Sequence, residues 1–179
     1  MRPLFQAADL TATRIPDADV AVFQPLLERC EDFFLRCYGR PARPDEALQL
    51  PAERPREVPP EKGHQLALWT PEGQLVGILE GVSDFPVPEA WYLGLMLLAP
   101  EVRGQRRGEA VLRAYEDWMR GQGARLLRLG VAEPNPSALR FWTRMGFQEE
   151  QWVGPRKEGL LTYRVLRMSK PLREAAATP

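Results

Sequence analysis

The stretch Arg103-Gly104-Gln105-Arg106-Arg107-Gly108-Glu109-Ala110 constrains this chain more than any other. It follows an apolar run, Trp91 to Ala99, and opens an amphipathic helix. A strand that ends in a basic, glycine-bearing loop and then enters a helix builds an anion site. The first N–H groups of a helix lack carbonyl partners and point out of its end, where the aligned peptide dipoles add about half a positive charge. A phosphate or pyrophosphate is the natural occupant, and glycine lets the backbone come close to it. Taken alone, the same residues also suit a solvated basic turn, so the rest of the chain has to decide.

With 179 residues, 44% of them hydrophobic and 27% charged, the chain is expected to form one domain over residues 1–179 with a buried core. Lys+Arg and Asp+Glu balance at 24 each, which argues against a general nucleic-acid binder. No apolar run approaches the roughly 20 residues of a membrane helix, and the start, Met1 to Phe5, lacks the apolar stretch of a signal peptide. A cytoplasmic location and no membrane partner are expected. Cys30 and Cys37 sit seven apart on one predicted helix, about 10 Å along its axis, too far for a disulfide. With one histidine in the chain, no metal site is expected.

The periodicities give the element order β-α-α-β-β-β-α-β-α-β-β. Thr11 to Ile15 reads as a strand, and a helix started by Pro25 runs to Tyr38 and Gly39. Gly39 to Gly63, with six prolines, reads as a long irregular connection holding one short helix near Asp45 to Leu50. Gln65 to Trp69 and Gln74 to Val82 form a hairpin around Pro71-Glu72-Gly73. Trp91 to Leu98 reads as a central strand buried on both faces. Arg107 to Gln122 is a helix ended by glycines, and Arg125 to Val131 is a strand. Asn135-Pro136 starts a short helix that stops at Gly146. Phe147 to Val153 and Leu160 to Met168 close the sheet as a hairpin. A flexible tail is expected over residues 171–179. This is an α/β (α+β) domain around one mixed sheet. It is not a dinucleotide-binding fold, which would want its glycine fingerprint at the first strand of repeated βα units.

The segment Asn135-Pro136-Ser137-Ala138-Leu139-Arg140-Phe141-Trp142-Thr143-Arg144-Met145-Gly146-Phe147 matches N-x-x-A-x-x-(F/L)-Y-x-x-x-G-F at every position but one. Together with the basic loop, it makes the chain resemble the GNAT superfamily of N-acetyltransferases. The loop fits that family's phosphate-binding pattern in two registers. Gln105 to Ala110 matches letter for letter. The register starting at Arg103 needs no gap from Pro100 through the helix and is preferred. It puts Arg106 where a first glycine is usual and Gly108 as the second, so Arg106 must turn away or bind phosphate itself.

The resemblance implies a single mixed, mostly antiparallel sheet of about six to seven strands flanked by about four helices. It implies acetyl-CoA as cosubstrate, no metal, and direct acetyl transfer to an amine of a small molecule or peptide, by a monomer or homodimer. The residues it assigns to CoA are Leu97 or Leu98, whose backbone N–H would face the thioester oxygen, then Arg103, Gly104, Gln105, Arg106, Arg107, Gly108, Glu109 and Ala110, and then Asn135, Ala138, Phe141 and Trp142. Arg103, Arg106 and Arg107 would pair with the 3′-phosphate or the pyrophosphate.

An alkylamine is less than roughly 0.1% neutral at pH 7, so attack needs a base or a desolvating site. Glu80, Asp84 and Glu89, on or after the third strand of the resemblance, are the base candidates. Glu80 sits within an apolar strand, where burial would raise its pKa. Trp142 stands where many relatives carry a proton-donating Tyr, and an indole N–H only donates a hydrogen bond. Tyr92 or a water is the substitute donor. Asn135 caps its helix, His64 is expected in a surface loop, and Gly39 to Gly63 is expected to be a wall of the acceptor site or an inert loop. Glu28, Glu31 and Asp32 would attract a cationic amine or form a solvated helix face. The alternative function is a non-catalytic CoA-binding or acyl-CoA-sensing protein.

Overall fold

The computed structural model describes residues 2–172. Its strands are β1 (Pro3–Ala7), β2 (Leu10–Ile15), β3 (Gly63–Trp69), β4 (Leu75–Val82), β5 (Ala90–Leu98), β6 (Leu126–Ala132), β7 (Gln148–Glu158) and β8 (Leu161–Pro171). They form one sheet in the spatial order β1-β2-β3-β4-β5-β6-β8-β7. Every neighbouring pair is antiparallel except β5 and β6, which run parallel. The helices are α1 (Gln24–Arg29), α2 (Glu31–Tyr38), α3 (Glu46–Gln49), α4 (Arg107–Gly121) and α5 (Pro136–Arg144). The mixed, mostly antiparallel sheet is as expected, with eight strands rather than six or seven and five helices rather than four among the described residues.

Each difference has a physical cause. The extra strand is β1, which shows little alternation and is held instead by pairing with β2 and by Phe5, whose ring lies 6.4 Å from that of Tyr115 and 6.2 Å from that of Trp118 on α4. The helix expected to run from Pro25 to Tyr38 breaks at Cys30, which leaves helical geometry with φ −90° and ψ 35°. The break directs the Cys30 thiol at the Leu98 carbonyl of β5, 3.6 Å away. Both cysteines are buried and free. Residues 171 and 172 belong to the fold rather than to a flexible tail. Pro171 still pairs with Leu126, and Leu172 is buried and donates its N–H to the Arg125 carbonyl. Residues 173–179 of the expected tail lie outside the described residues.

His64 is not in a surface loop. It sits within β3, 3% exposed, with Nε2 2.5 Å from the Tyr115 hydroxyl and its ring among Trp91, Trp118 and Tyr115. Desolvation, with a smaller push from Arg14, lowers its pKa to about 3, so it is neutral in this core. Glu116 on α4 is also buried, and its carboxylate is satisfied by Lys170 at 2.6 Å and Arg120 at 3.5 Å.

The register between β4 and β5 sets up the rest of the molecule. Gly81 pairs with Leu93 and Glu80 pairs with Leu95, so Gly94 is an extra residue in β5. Parallel pairing of β5 with β6 stops at the neighbouring couple, Leu93 and Leu129. Beyond it β5 stays with β4, while Gly130, Val131 and Ala132 of β6 stay with β8. The two strands therefore part, as a one-residue bulge bends its strand and increases the local twist. The expectation that β5 would be buried on both faces fails here for that reason. Gly94 is exposed and Leu95 and Met96 are only partly covered, because they border the opening.

A Cβ on Gly81 would lie 2.8 Å from the Tyr92 carbonyl oxygen and 2.9 Å from both His64 Nε2 and the Tyr115 hydroxyl. We therefore expect Gly81→Ala to lose about 1–3 kcal/mol of stability through overpacking. Gly121→Ala, at the exposed end of α4 with nothing within 4 Å of its Cβ, should gain about 0.5–1 kcal/mol. Urea midpoints of the two variants against the parent check both signs.

Candidate active site

Where β5 and β6 part, a cavity of about 780 Å³ opens, floored by Gly94 to Leu98 and Leu129 to Ala132. One half is bordered by the loop after β5, the start of α4 and one side of α5. The other is bordered by β4, the C-terminal end of α2, the connection after it, and the β7–β8 hairpin.

In the first half the backbone offers unpaired donors. Ala99 donates its N–H to Val76 of β4. By the period-two alternation of a strand, Leu98 and Met96 turn their N–H groups the other way, into the gap. The Leu98 carbonyl on that edge is already taken, by Cys30 Sγ and by Arg103 Nε at 2.8 Å. Of the two residues expected to supply an N–H to the gap, Leu98 has the suitable orientation and Leu97 faces β4.

The loop enters α4 through three successive residues at positive φ, Gly104 at 86°, Gln105 at 48° and Arg106 at 58°. Two of them carry a Cβ, and a backbone of this kind is sparsely populated for such residues. Arg107 donates its N–H to the Gly104 carbonyl and Ala110 to that of Arg106. The N–H groups of Gly108 and Glu109 then have no carbonyl inside the helix. Gly108 faces the cavity, where a Cβ would lie 3.5 Å from the Phe141 ring and 3.8 Å from the Met96 methyl, ordinary van der Waals contact.

The three loop arginines differ in how they are held. Arg103 grips both carboxylate oxygens of Asp32, at 2.6 and 3.1 Å. Its hydrogen bond lowers the Asp32 pKa. Arg107 pairs with Asp9 at 2.9 Å. Arg106, also on the cavity wall, has no carboxylate partner among the described residues. Asp32 is thus the loop's tether to α2, not an open site for an acceptor. Glu28 accepts a hydrogen bond from Gln24 on its own helix.

Asn135 caps α5 as expected, accepting from the Ala138 N–H at 3.2 Å. Its oxygen also accepts from Ser137 and Arg36, and its amide lies 3.9 Å from Cys37 Sγ, so it joins α5 to α2. Burial pushes the Cys37 thiol up to about 11. Ala138, Phe141 and Trp142 line the cavity, and Trp142 is wedged between Phe141 at 4.8 Å and Phe147 at 5.3 Å. Gln105, Arg107 and Ala110 are not on the cavity wall.

The second half holds the ionisable groups. Gly81 faces α4, so its neighbour Glu80 points to the opposite face of the sheet. There Glu80 borders the cavity at 8% exposure, with no hydrogen bond or ion pair to its carboxylate among the described residues. Burial, reinforced by the nearby Glu53, raises its pKa to about 8. Tyr92 lines the same space, and burial holds its phenol above the ordinary value. Its hydroxyl reaches across to β6, where a Cβ on Gly130 would come within 2.9 Å of it. Asp84 is elsewhere. It is a turn residue at φ 52°, accepts the Glu89 N–H at 2.9 Å and pairs with Lys62 at 3.3 Å, and these contacts lower its pKa. Neither Asp84 nor Glu89 borders the cavity.

Sequence reasoning missed Tyr38, Glu53, Tyr163, Arg156, Glu158 and Arg167, all on the cavity wall. Glu53 belongs to the proline-rich connection, which therefore does contribute a wall. The other late residues carry no local signal, because they reach the cavity only through the length of the β7–β8 hairpin. Among the described residues no group of His, Cys, Asp and Glu could hold a metal ion, and no helix is long and apolar enough to cross a membrane.

Residues 27–147 match the model of the acetyltransferase (GNAT) family. A mycothiol acetyltransferase of Stackebrandtia nassauensis is 34% identical over 90 residues, 48% of this chain and 28% of that protein, so the chain matches little more than a quarter of its length. An acetyltransferase from Thermus thermophilus superposes with a TM-score of 0.72 at 20% identity, covering 92% of this chain and 98% of that one. A spermidine N-acetyltransferase from Vibrio cholerae, solved with CoA and spermine, does so with a TM-score of 0.70 at 18% identity, covering 92% and 96%.

If the loop and the gap hold CoA, Gly108→Trp should weaken its binding at least about tenfold, one well-packed contact's worth of free energy, by filling the cleft beside Phe141 and Met96. Calorimetric titration with CoA checks this. An unchanged affinity in a variant with the parent's circular dichroism would remove the loop from the site.

Proposed function

Because the chain belongs to the acetyltransferase (GNAT) family, we propose that it transfers the acetyl group of acetyl-CoA to an amine of a small molecule or a peptide. The observation that carries this reading is the unpartnered Glu80 carboxylate, which borders the same cavity as the open N–H groups of β5 and of the α4 start. An anion-accepting half and a base-bearing half meet at the gap between two strands.

The residues present suit CoA. Gly108 leaves room for close approach, the N–H groups of Gly108 and Glu109 and the free guanidinium of Arg106 suit its phosphates, and Ala138 and Phe141 offer an apolar flank. Acetyl-CoA supplies the activated thioester. The Leu98 N–H, preorganised in the gap, would donate to the carbonyl oxygen as charge builds on it. Glu80, poised near pH 8, would take the proton that the incoming ammonium must lose. Tyr92 holds its proton throughout the neutral range and would return one to the departing sulfur, a role that the Trp142 indole cannot fill.

A second reading, binding of CoA or acyl-CoA without turnover, is favoured by that same Trp142 at the usual position of the acid. Thermal-shift measurements with CoA, acetyl-CoA and longer acyl-CoAs, followed by an amine library read by free-thiol release, separate the two. Stabilisation by acetyl-CoA with no thiol release on any amine would establish the second reading and overturn the first.

The role of Glu80 makes a sharper expectation. Only its ionised form can accept a proton, so kcat/KM should rise with pH through a limb near 8. Glu80→Gln should remove that limb and lower kcat/KM by about 10²–10⁴-fold. A variant with the limb intact would leave the proton to another acceptor. Stability supplies an independent reading. The folded-state pKa lies above the ordinary carboxyl value, so the native state binds more protons than the unfolded chain between about pH 4.5 and 8, and stability falls as pH rises through that window. Glu80→Gln should lessen this fall.

A further inference from the structure

The acceptor half of the cavity contains two carboxyl groups, Glu80 and Glu53, that no described residue pairs directly, though Arg54 acts on the first and Arg43 and Arg156 on the second from a distance. Glu80 is 8% exposed, and Glu53 keeps an exposed surface on the same cavity wall. Neither makes a side-chain hydrogen bond or ion pair among the described residues. The cations around them are otherwise occupied. Arg54 donates to Asp17 at 2.7 Å and to the Pro60 and Pro51 carbonyls. Arg156 pairs with Glu158 at 2.7 Å, and Arg43 with Glu46 at 3.3 Å.

Glu53 is open to the cavity yet crowded by the protein around it. Desolvation raises its pKa and Glu46 and Glu158 raise it further, against a smaller lowering by Arg43 and Arg156, while Glu53 in turn raises that of Glu80. Two carboxyl groups in one such space hold on to their protons until a cation enters and stabilises their charged forms. The walls between them are aromatic. Tyr38, Tyr92 and Tyr163, three of the four tyrosines in the chain, border this space. Arg40 already lies 5.4 Å from the centre of the Tyr38 ring. Ring faces of this kind attract ammonium groups at little desolvation cost. A neutral or anionic acceptor would leave both carboxylates unpaired, and a monoamine would satisfy one.

We propose that the acceptor carries two ammonium groups, one presented to Glu80 for acetylation and the other held by Glu53 against the phenol rings. This rests on the transferase reading above for the first group. Glu53 is then the specificity residue, supplied by the proline-rich connection between α3 and β3. It recognises a charge and takes no part in the bond changes.

The test compares α,ω-diaminoalkanes of three to six carbons with the monoamines of equal length. Binding to the full chain is measured calorimetrically, and turnover by thiol release from acetyl-CoA. At least one diamine should bind at least about tenfold more tightly than its monoamine, the effect of one charged hydrogen bond in a partly enclosed site. Glu53→Gln should bring that ratio to within about threefold of one, through KM rather than kcat, and Glu53→Asp should restore part of it. A ratio near one in the parent, or a ratio unaffected by Glu53→Gln, overturns the proposal. Turnover of monoamines and diamines alike overturns it while leaving the transferase reading in place. Glu53-dependent diamine binding with no thiol release supports the second-charge site and sinks the transferase reading instead.

Discussion

The parting of β5 from β6 at the Gly94 bulge is the constraint on which the rest of the molecule depends. One extra residue opposite the Glu80–Gly81 step moves Leu95 to the side of Glu80 and ends the parallel pairing at Leu93 and Leu129. A continuous sheet would satisfy every ladder donor internally and leave no space between the strands. The divergence exposes a row of backbone groups in the middle of the domain, where they are rigidly held and partly screened from water. It also leaves Tyr92, one residue before the last paired couple, with its hydroxyl beside Gly130 of β6.

The pairing of polar groups around the opening is selective. The carbonyl of Leu98 is taken by Cys30 and Arg103, while its N–H is left facing the gap. Arg103 and Arg107 are tethered by Asp32 and Asp9, which fix the loop to α2 and to the β1–β2 turn. Arg106 has no carboxylate partner among the described residues. The result is a loop that carries net positive character toward the cavity, yet uses most of its side chains to hold its own shape. Across the gap the sign reverses, with Glu80 and Glu53 making no ion pair among the described residues. A cavity with donors at one end and carboxyl groups at the other suits transfer of a group from an anionic carrier, which departs, to a cationic acceptor.

Much of this is readable from residues that act locally. Asn135 and Pro136 declare a helix start, because a capping side chain and a fixed φ work within one turn. The glycines and arginines of 103–108 mark a strand-to-helix loop for the same reason. Glu80 stands out as a carboxylate inside an apolar strand, and burial does raise its pKa. The errors come where distant packing overrides local pattern. His64 looks like a loop residue until Tyr115 and two tryptophans enclose it. Asp84 reads as a further base candidate, but a left-handed turn and Lys62 hold it away from the cavity wall. The break at Cys30 is invisible in the helical periodicity, since it is set by the approach of α2 to β5.

By itself, the sequence determined most of the element types, the basic strand-to-helix loop, the cap of α5 and the substitution of an indole at the usual place of a phenol. Those features depend on dihedral preferences and spacings within a few residues. Only the tertiary structure decided which side chains share the cavity. It selected Glu80 over Asp84 and Leu98 over Leu97, left Arg106 free while binding Arg103 and Arg107, and brought Glu53, Tyr38 and Tyr163 to a common wall. The reason is physical: which face a strand residue presents, and whether a charge is paired, depend on register, bulges and partners far away in the chain, and no window of the sequence contains them.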